Sequence, residues 1–232
     1  LPYLDSWIIH ENKWRATRYG IDAKLILDSE GNQEDITTVI ENTIIALEPE
    51  INKLDISSKL NIIIVSDHGM TDVYPENSID LSSYTDLSLL SVSGAGPTVF
   101  ISSDSKKLLK NAYNDLKSIN NANIYWKNKI PKRFHYRNHV RIPDILVLAD
   151  EGWSLMPLGH GSYNPKGSHG YDNLLDNMKA IFIANGPSFK SGYKREEFEN
   201  IHIYPLVAHI LGIKPYKKID GDLEIVKDLL SN

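Results

Sequence analysis

The feature that most limits what this 232-residue chain can fold into is a short apolar run, residues 60–66, in which Ile62, Ile63, Ile64 and Val65 follow one another without a polar break. Successive side chains of a strand point to opposite faces, so an unbroken run puts apolar groups on both. Such a strand needs cover on both sides, the condition met by parallel sheets flanked by helices. The run then stops in Asp67-His68-Gly69. Open α/β sheets bind ligands at the carboxyl ends of their strands, which makes an acid and an imidazole delivered there candidates for chemistry.

The rest of the chain alternates helical and extended patterns. Residues 4–19 read as helix-like, 23–27 as a short apolar segment and 28–32 (Asp-Ser-Glu-Gly-Asn) as turn chemistry. From Asp35 to Leu54 apolar residues recur at steps of three and four, with Pro49 as a disturbance, which predicts an amphipathic helix. Residues 71–92 are polar and loop-rich. Strands are predicted at 98–101, at 142–149 with an early interruption by Pro143, and at 180–184 before Asn185-Gly186-Pro187. Helices are predicted at 106–119 and at 202–212, the second ended by Gly212 with Pro215 beyond it. This alternation implies a layered α/β fold.

Composition excludes several classes of function. Apolar residues make up 41% and charged residues 24%, and no apolar run approaches the roughly 18 to 20 residues needed to span a bilayer. A net charge of −5 opposes diffuse binding to nucleic acid or to an anionic membrane, while a bound metal could still create a local anion site. With no cysteine, disulfides, thiolate-held zinc and cysteine nucleophiles are excluded. No Asn-x-Ser/Thr acceptor occurs, so nothing supports N-glycosylation. The first residue is Leu1 rather than Met, which suits a processed or trimmed chain or a fragment of a longer product.

Two glycine-flanked motifs carry the chemistry. Asp67 and neutral His68 are both good ligands for zinc or a similar divalent ion, and Gly69 is expected to let the backbone turn so that they converge. The plainer reading is a capping aspartate and a surface histidine. In Gly167-Ser168-His169-Gly170-Tyr171-Asp172-Asn173 a histidine sits between two glycines near a second aspartate. There the plainer reading is a turn that happens to contain a histidine. His160 is a weaker, accessory candidate, and His202 and His209, seven residues apart, are expected to pack.

Ser66-Asp67-His68-Gly69-Met70, Gly167-Ser168-His169-Gly170-Tyr171-Asp172-Asn173 and the stretch from Met178 to Phe189 resemble the nucleotide pyrophosphatase/phosphodiesterase family, within the alkaline-phosphatase-like superfamily. The segments 141–150, 198–205 and 211–215 fit the same pattern, in order, over about 170 residues. The resemblance implies an alkaline-phosphatase-like α/β domain with a mostly parallel sheet, incomplete at its N-terminal half. It implies a hydrolase of phosphoric diesters with two zinc ions, Asp67 and His68 matching ligands of one and His169 a ligand of the other. It further implies a nucleotide or other phosphodiester small molecule as partner, and an extracellular or periplasmic setting. Two divalent cations roughly 4 Å apart would clamp the attacking and leaving oxygens of a phosphoryl transfer.

The sequence also departs from that family. The family's early metal-binding Asp, its Thr or Ser nucleophile and an Asp-x-x-Gly-His motif lie upstream of the Ser-Asp-His-Gly strand, and residues 1–59 are too short to hold them. Asp28-Ser29-Glu30-Gly31-Asn32 has Asn where the last motif needs His, and is read as a turn. Residues 9–23, within a 1–50 segment read as helical and separate from 51–232, resemble instead a stretch of the carboxylate–amine ligases related to glutamate–cysteine ligase. These readings set a phosphodiesterase lacking its own nucleophile against a catalytically inactive metal-binding or structural module, with a ligase role third. Without upstream strands, the apolar edge at 60–66 invites association with the missing half or with a second copy.

Overall fold

In the structure, a computed structural model, the described residues are 8–10, 26–27, 33–34, 49–53, 57–137, 139–157 and 166–231. They fall into two compact units, divided at Gly69/Met70 and again at Lys179/Ala180.

The first unit is built around β4 (Ile62–Val65) and β13 (Phe182–Asn185), with β1 (Ile8–His10) on the other side of β13. Both ladders are antiparallel, placing Ile63 opposite Ala184 and Ile9 opposite Ile183. Two expectations are overturned here. Residues 8–10 extend as a strand, within a segment read as helix-like. The run at 62–65 is only half-buried, with Val65 exposed, and pairs antiparallel. An unbroken apolar run reports a need for cover and carries no information about the direction of the neighbour. β2 (Ile26–Leu27) and β3 (Gln33–Glu34) pair antiparallel, and the turn expected at 28–32 lies outside the described residues. The expected helix at 35–54 falls largely outside the described residues, which show a helical turn at 49–52.

Helix α2 (Ile203–Ile210) buries Pro205, Leu206 and Ala208. Leu206 joins Phe182, Ala184, Phe189, Val226 and Leu229 in the core of this unit. Phe182 meets Phe198 edge-on with centroids 5.2 Å apart, a favoured aromatic geometry. The C-terminal segment is tied to the 186–195 stretch by a bridge between Phe189 and Leu230 and by Asp228, which accepts from the Tyr193 hydroxyl (2.8 Å) and pairs with Arg195.

The second unit carries a four-stranded antiparallel sheet in the order β7-β8-β10-β9, formed by β7 (Ser91–Ser93), β8 (Thr98–Ser102), β10 (Ile145–Ala149) and β9 (Ala122–Trp126). All five residues of β10 are buried, its side chains alternating between two apolar clusters. Ile145 and Val147 pack with Val99, Ile101 and Leu116, whereas Leu146 faces Ile130 and Ile142. Helix α1 (Lys106–Leu116) opens on Ser105, whose hydroxyl accepts from the Leu108 N–H (3.4 Å), and buries Leu109, Ala112 and Leu116. Among the described residues the one parallel pair joins β6 (Ser78–Asp80) to β11 (Ser154–Met156), so the mostly parallel sheet expected from the resemblance does not appear in the described strands. The short pair β5 (Thr71–Asp72) and β12 (Gly167–Ser168) is antiparallel, with Ser168 opposite Thr71.

Candidate functional site

Asp67 and His68 lie in the first unit, just past the end of β4. The Ser66 N–H donates to the Ile181 carbonyl (3.2 Å), and the Ile181 N–H donates back to the Ser66 hydroxyl (2.9 Å). This reciprocal pair fixes the point where the chain leaves the sheet. The Asn200 side-chain amide donates to the Asp67 carbonyl oxygen (3.4 Å), and the His68 N–H donates to the Asp67 carboxylate (3.0 Å). The Asp67 carboxylate is 84% exposed, and the His68 ring is about one-third exposed.

His68 is oriented by its own neighbour. Its Nδ1 lies 2.8 Å from the Gly69 carbonyl, which can only accept, so Nδ1 carries the proton and Nε2 of the neutral ring offers a lone pair. That Nε2 stands 3.4 Å from Oδ2 of Asp67. Zinc–ligand bonds of 2.0–2.1 Å place neighbouring donors of a tetrahedral ion about 3.3 Å apart. The pair therefore fits two corners of one zinc ion. Among the described residues no group of three His, Asp, Glu or Cys side chains is gathered to complete such a shell.

The convergence does not come from the expected backbone device. Gly69 is absent from the positive-φ glycines. The two side chains meet because His68 turns its ring toward the preceding carboxylate while holding the following carbonyl. The proximity of Asp67 and His68 thus arises from the side chains and not from a left-handed Gly69.

His169 belongs to the second unit, directly after β12, and is half-buried. Of its flanking glycines, Gly167 lies in the strand, whereas Gly170 has φ +100°, a conformation that side chains rarely adopt. Tyr171 is buried and donates its hydroxyl to the Trp153 carbonyl (2.9 Å). Asp172 pairs with Arg133 and accepts from the Leu174 N–H (3.0 Å). Its charge, after burial itself, raises the pKa of the Tyr125 phenol. These ties give Asp172 a structural occupation.

Of the other histidines weighed from the sequence, two lie among the described residues. His202 is buried, and its Nδ1 accepts the Asp222 N–H (2.9 Å), which is the packing role expected of it. His209 sits in the last turn of α2 and is exposed, against the same expectation. His160 lies outside the described residues. Sequence reasoning missed Asn200, whose side chain reaches back to the Asp67 carbonyl from 133 positions away. No local pattern announces a contact at that separation.

Comparison with known proteins identifies the family and the fold. Residues 27–172 match the type I phosphodiesterase / nucleotide pyrophosphatase family, a match that begins ahead of the boundary expected near residue 50. Human bis(5'-adenosyl)-triphosphatase ENPP4 is 36% identical over 186 residues, covering 80% of this chain and 40% of that protein. Human ectonucleotide pyrophosphatase/phosphodiesterase family member 5 is 34% identical over 183 residues, covering 78% of this chain and 38% of that protein. The chain thus spans about 40% of the length of the curated relatives it matches. The solved structure of human ENPP5 superposes with a TM-score of 0.77 at 32% identity, covering 85% of this chain and 52% of that one. An inactive variant of murine ENPP5 in complex with AMP gives 0.75 at 29%, covering 84% and 52%. The fold is therefore alkaline-phosphatase-like α/β, and the chain belongs to the type I phosphodiesterase / nucleotide pyrophosphatase family.

Proposed function

We propose that this chain is the C-terminal part of a zinc-dependent nucleotide pyrophosphatase/phosphodiesterase, with Asp67 and His68 as ligands of one ion and His169 as a ligand of the other. The reaction is hydrolysis of a phosphoric diester, and the substrate a nucleotide or related small phosphodiester. The observation that carries this reading is the Asp67–His68 pair, two acceptors 3.4 Å apart at the end of an apolar strand, inside the family match. Bound zinc would stabilise charge on phosphoryl oxygens and lower the pKa of a coordinated water. The chain's own residues contribute a carboxylate and a pre-oriented imidazole on one side of the ion. The nucleophile and the remaining ligands come from the portion of the family fold that this chain does not span.

The test is turnover of a nitrophenyl ester of a nucleoside monophosphate with zinc, by the chain alone and with the complementing N-terminal half of a relative. Activity only in the mixture is the expected result; silence in both arms ends the enzymatic reading. That the chain spans about 40% of the relatives it matches supports a second reading, an inactive module retaining part of a metal site. Tight two-site zinc binding by the isolated chain would dismiss it. A composite origin, with a ligase-like stretch at 9–23 ahead of the family match that starts at residue 27, belongs to this proposal and rests on the likeness of 9–23.

A further inference from the structure

The end of α2 presents an apolar surface that the metal site does not use. Tyr204 is 51% exposed, Leu211 63%, Ile213 58% and Tyr216 68%. Large apolar side chains on a soluble surface are ordinary when scattered, but four within thirteen residues of one helix end form a patch. The loop that carries them is held by hydrogen bonds. The Leu211 N–H donates to Val207 O (3.0 Å), Gly212 N–H to His209 O (3.0 Å) and Ile213 N–H to Ala208 O (2.8 Å), with Gly212 left-handed at φ +64°. The Tyr216 N–H then donates to the Tyr204 hydroxyl (3.2 Å), closing the loop back onto the helix. The exposure of Leu211 and Ile213 is built into this backbone.

Charge decides what such a patch suits. Lys214, Lys217 and Lys218 alternate with the apolar residues and are exposed, and no acid occurs between His202 and Ile219. Lysine is depleted at protein–protein interfaces, which argues against a protein partner. Lysines interleaved with aliphatic and tyrosine side chains are the pattern of an interfacial membrane contact, where cations meet anionic headgroups, tyrosines sit at headgroup level and aliphatic tips enter the acyl boundary. The net charge of −5 opposes diffuse adsorption, and a basic loop on an acidic molecule would orient it.

We propose that the 204–218 loop docks the chain peripherally on an anionic lipid surface, through Lys214, Lys217 and Lys218 with Leu211, Ile213 and Tyr216 as shallow anchors. The experiment is sedimentation with vesicles of phosphatidylcholine alone or with added phosphatidylserine, using the whole chain. The expected result is binding to the anionic vesicles only. Reversal of the three lysines (K214E/K217E/K218E) should weaken it at least roughly tenfold, and L211S/I213S should weaken it several-fold while circular dichroism stays unchanged. A reversal elsewhere, K129E/K132E in the second unit, should cost far less. No binding to anionic vesicles overturns the proposal. Equal losses from the two reversals would assign adsorption to bulk charge and overturn it too. Concentration-dependent self-association abolished by L211S/I213S, without vesicle binding, would hand the patch to a second copy of the chain.

Discussion

The His68 imidazole holds the Gly69 carbonyl through Nδ1 at 2.8 Å and turns its Nε2 to within 3.4 Å of the Asp67 carboxylate. One nitrogen fixes the tautomer, and the other shares a space with an anion. Histidines that bind metals are commonly oriented by a second group, and the Gly69 carbonyl fixes the His68 ring in the same manner. The consequences can be measured.

Removing either donor should cripple metal binding without unfolding the chain. Asp67 is exposed and His68 partly so, and substitutions of that kind cost within about 0.5 kcal/mol of stability. Asp67→Ala and His68→Ala should each lower zinc affinity by roughly tenfold or more, read by calorimetry, while the urea midpoint stays in place.

The core of the first unit should be far less tolerant. Leu206 is fully buried among Phe182, Phe189 and Leu229. Leu206→Ala removes about 2–5 kcal/mol, the range for a leucine truncated in a packed core. Gly186 is equally unforgiving, since a Cβ there would lie 2.5 Å from the Leu60 carbonyl oxygen and 2.6 Å from the Asn61 side chain. Gly186→Ala should lower the denaturation midpoint and disturb the β4–β13 ladder, seen as lost amide protection at Ile62–Val65.

How much of this was readable in advance follows from the length of each signal. The strands at 98–102 and 145–149 and the helices at 106–116 and 203–210 came through because each carries a full period of pattern. The two- and three-residue strands β5, β6, β11 and β12 passed unread, since so few residues define no period, and five-residue β9 (Ala-Asn-Ile-Tyr-Trp) passed unread because its side chains show no clean alternation of burial. Sheet direction was misjudged because the unbroken apolar run at 62–65 was taken to mean parallel neighbours, whereas it is half-buried and pairs antiparallel with β13. The Asp67–His68 pairing was legible because adjacency in sequence forced proximity. The tie from Asn200 was not.

Tyr193 gives a pH-dependent readout of the C-terminal clasp. Its pKa is raised above 10.0, first by the hydrogen bond its hydroxyl donates to Asp228, then by desolvation and the Asp228 charge, with Arg195 opposing. A neutral phenol favoured in the folded state binds its proton more tightly than the unfolded chain does. This contribution to stability is therefore fully present below the unfolded value near 10 and is lost as pH rises through the folded value. Difference titration of tyrosinate absorbance against Tyr193→Phe should show a late-titrating phenol, and Asp228→Asn should move it back toward 10. An ordinary titration in the unsubstituted chain would remove the clasp from the account.

The central claim is that Asp67 and His68 form one side of a zinc shell, and a crystal structure of the chain grown with zinc tests it most directly. The account predicts zinc density with His68 Nε2 and an Asp67 carboxylate oxygen both about 2.0–2.2 Å from the ion, and Nδ1 still on the Gly69 carbonyl. Zinc bound elsewhere, with the Asp67–His68 corner bare at saturating metal, would contradict it.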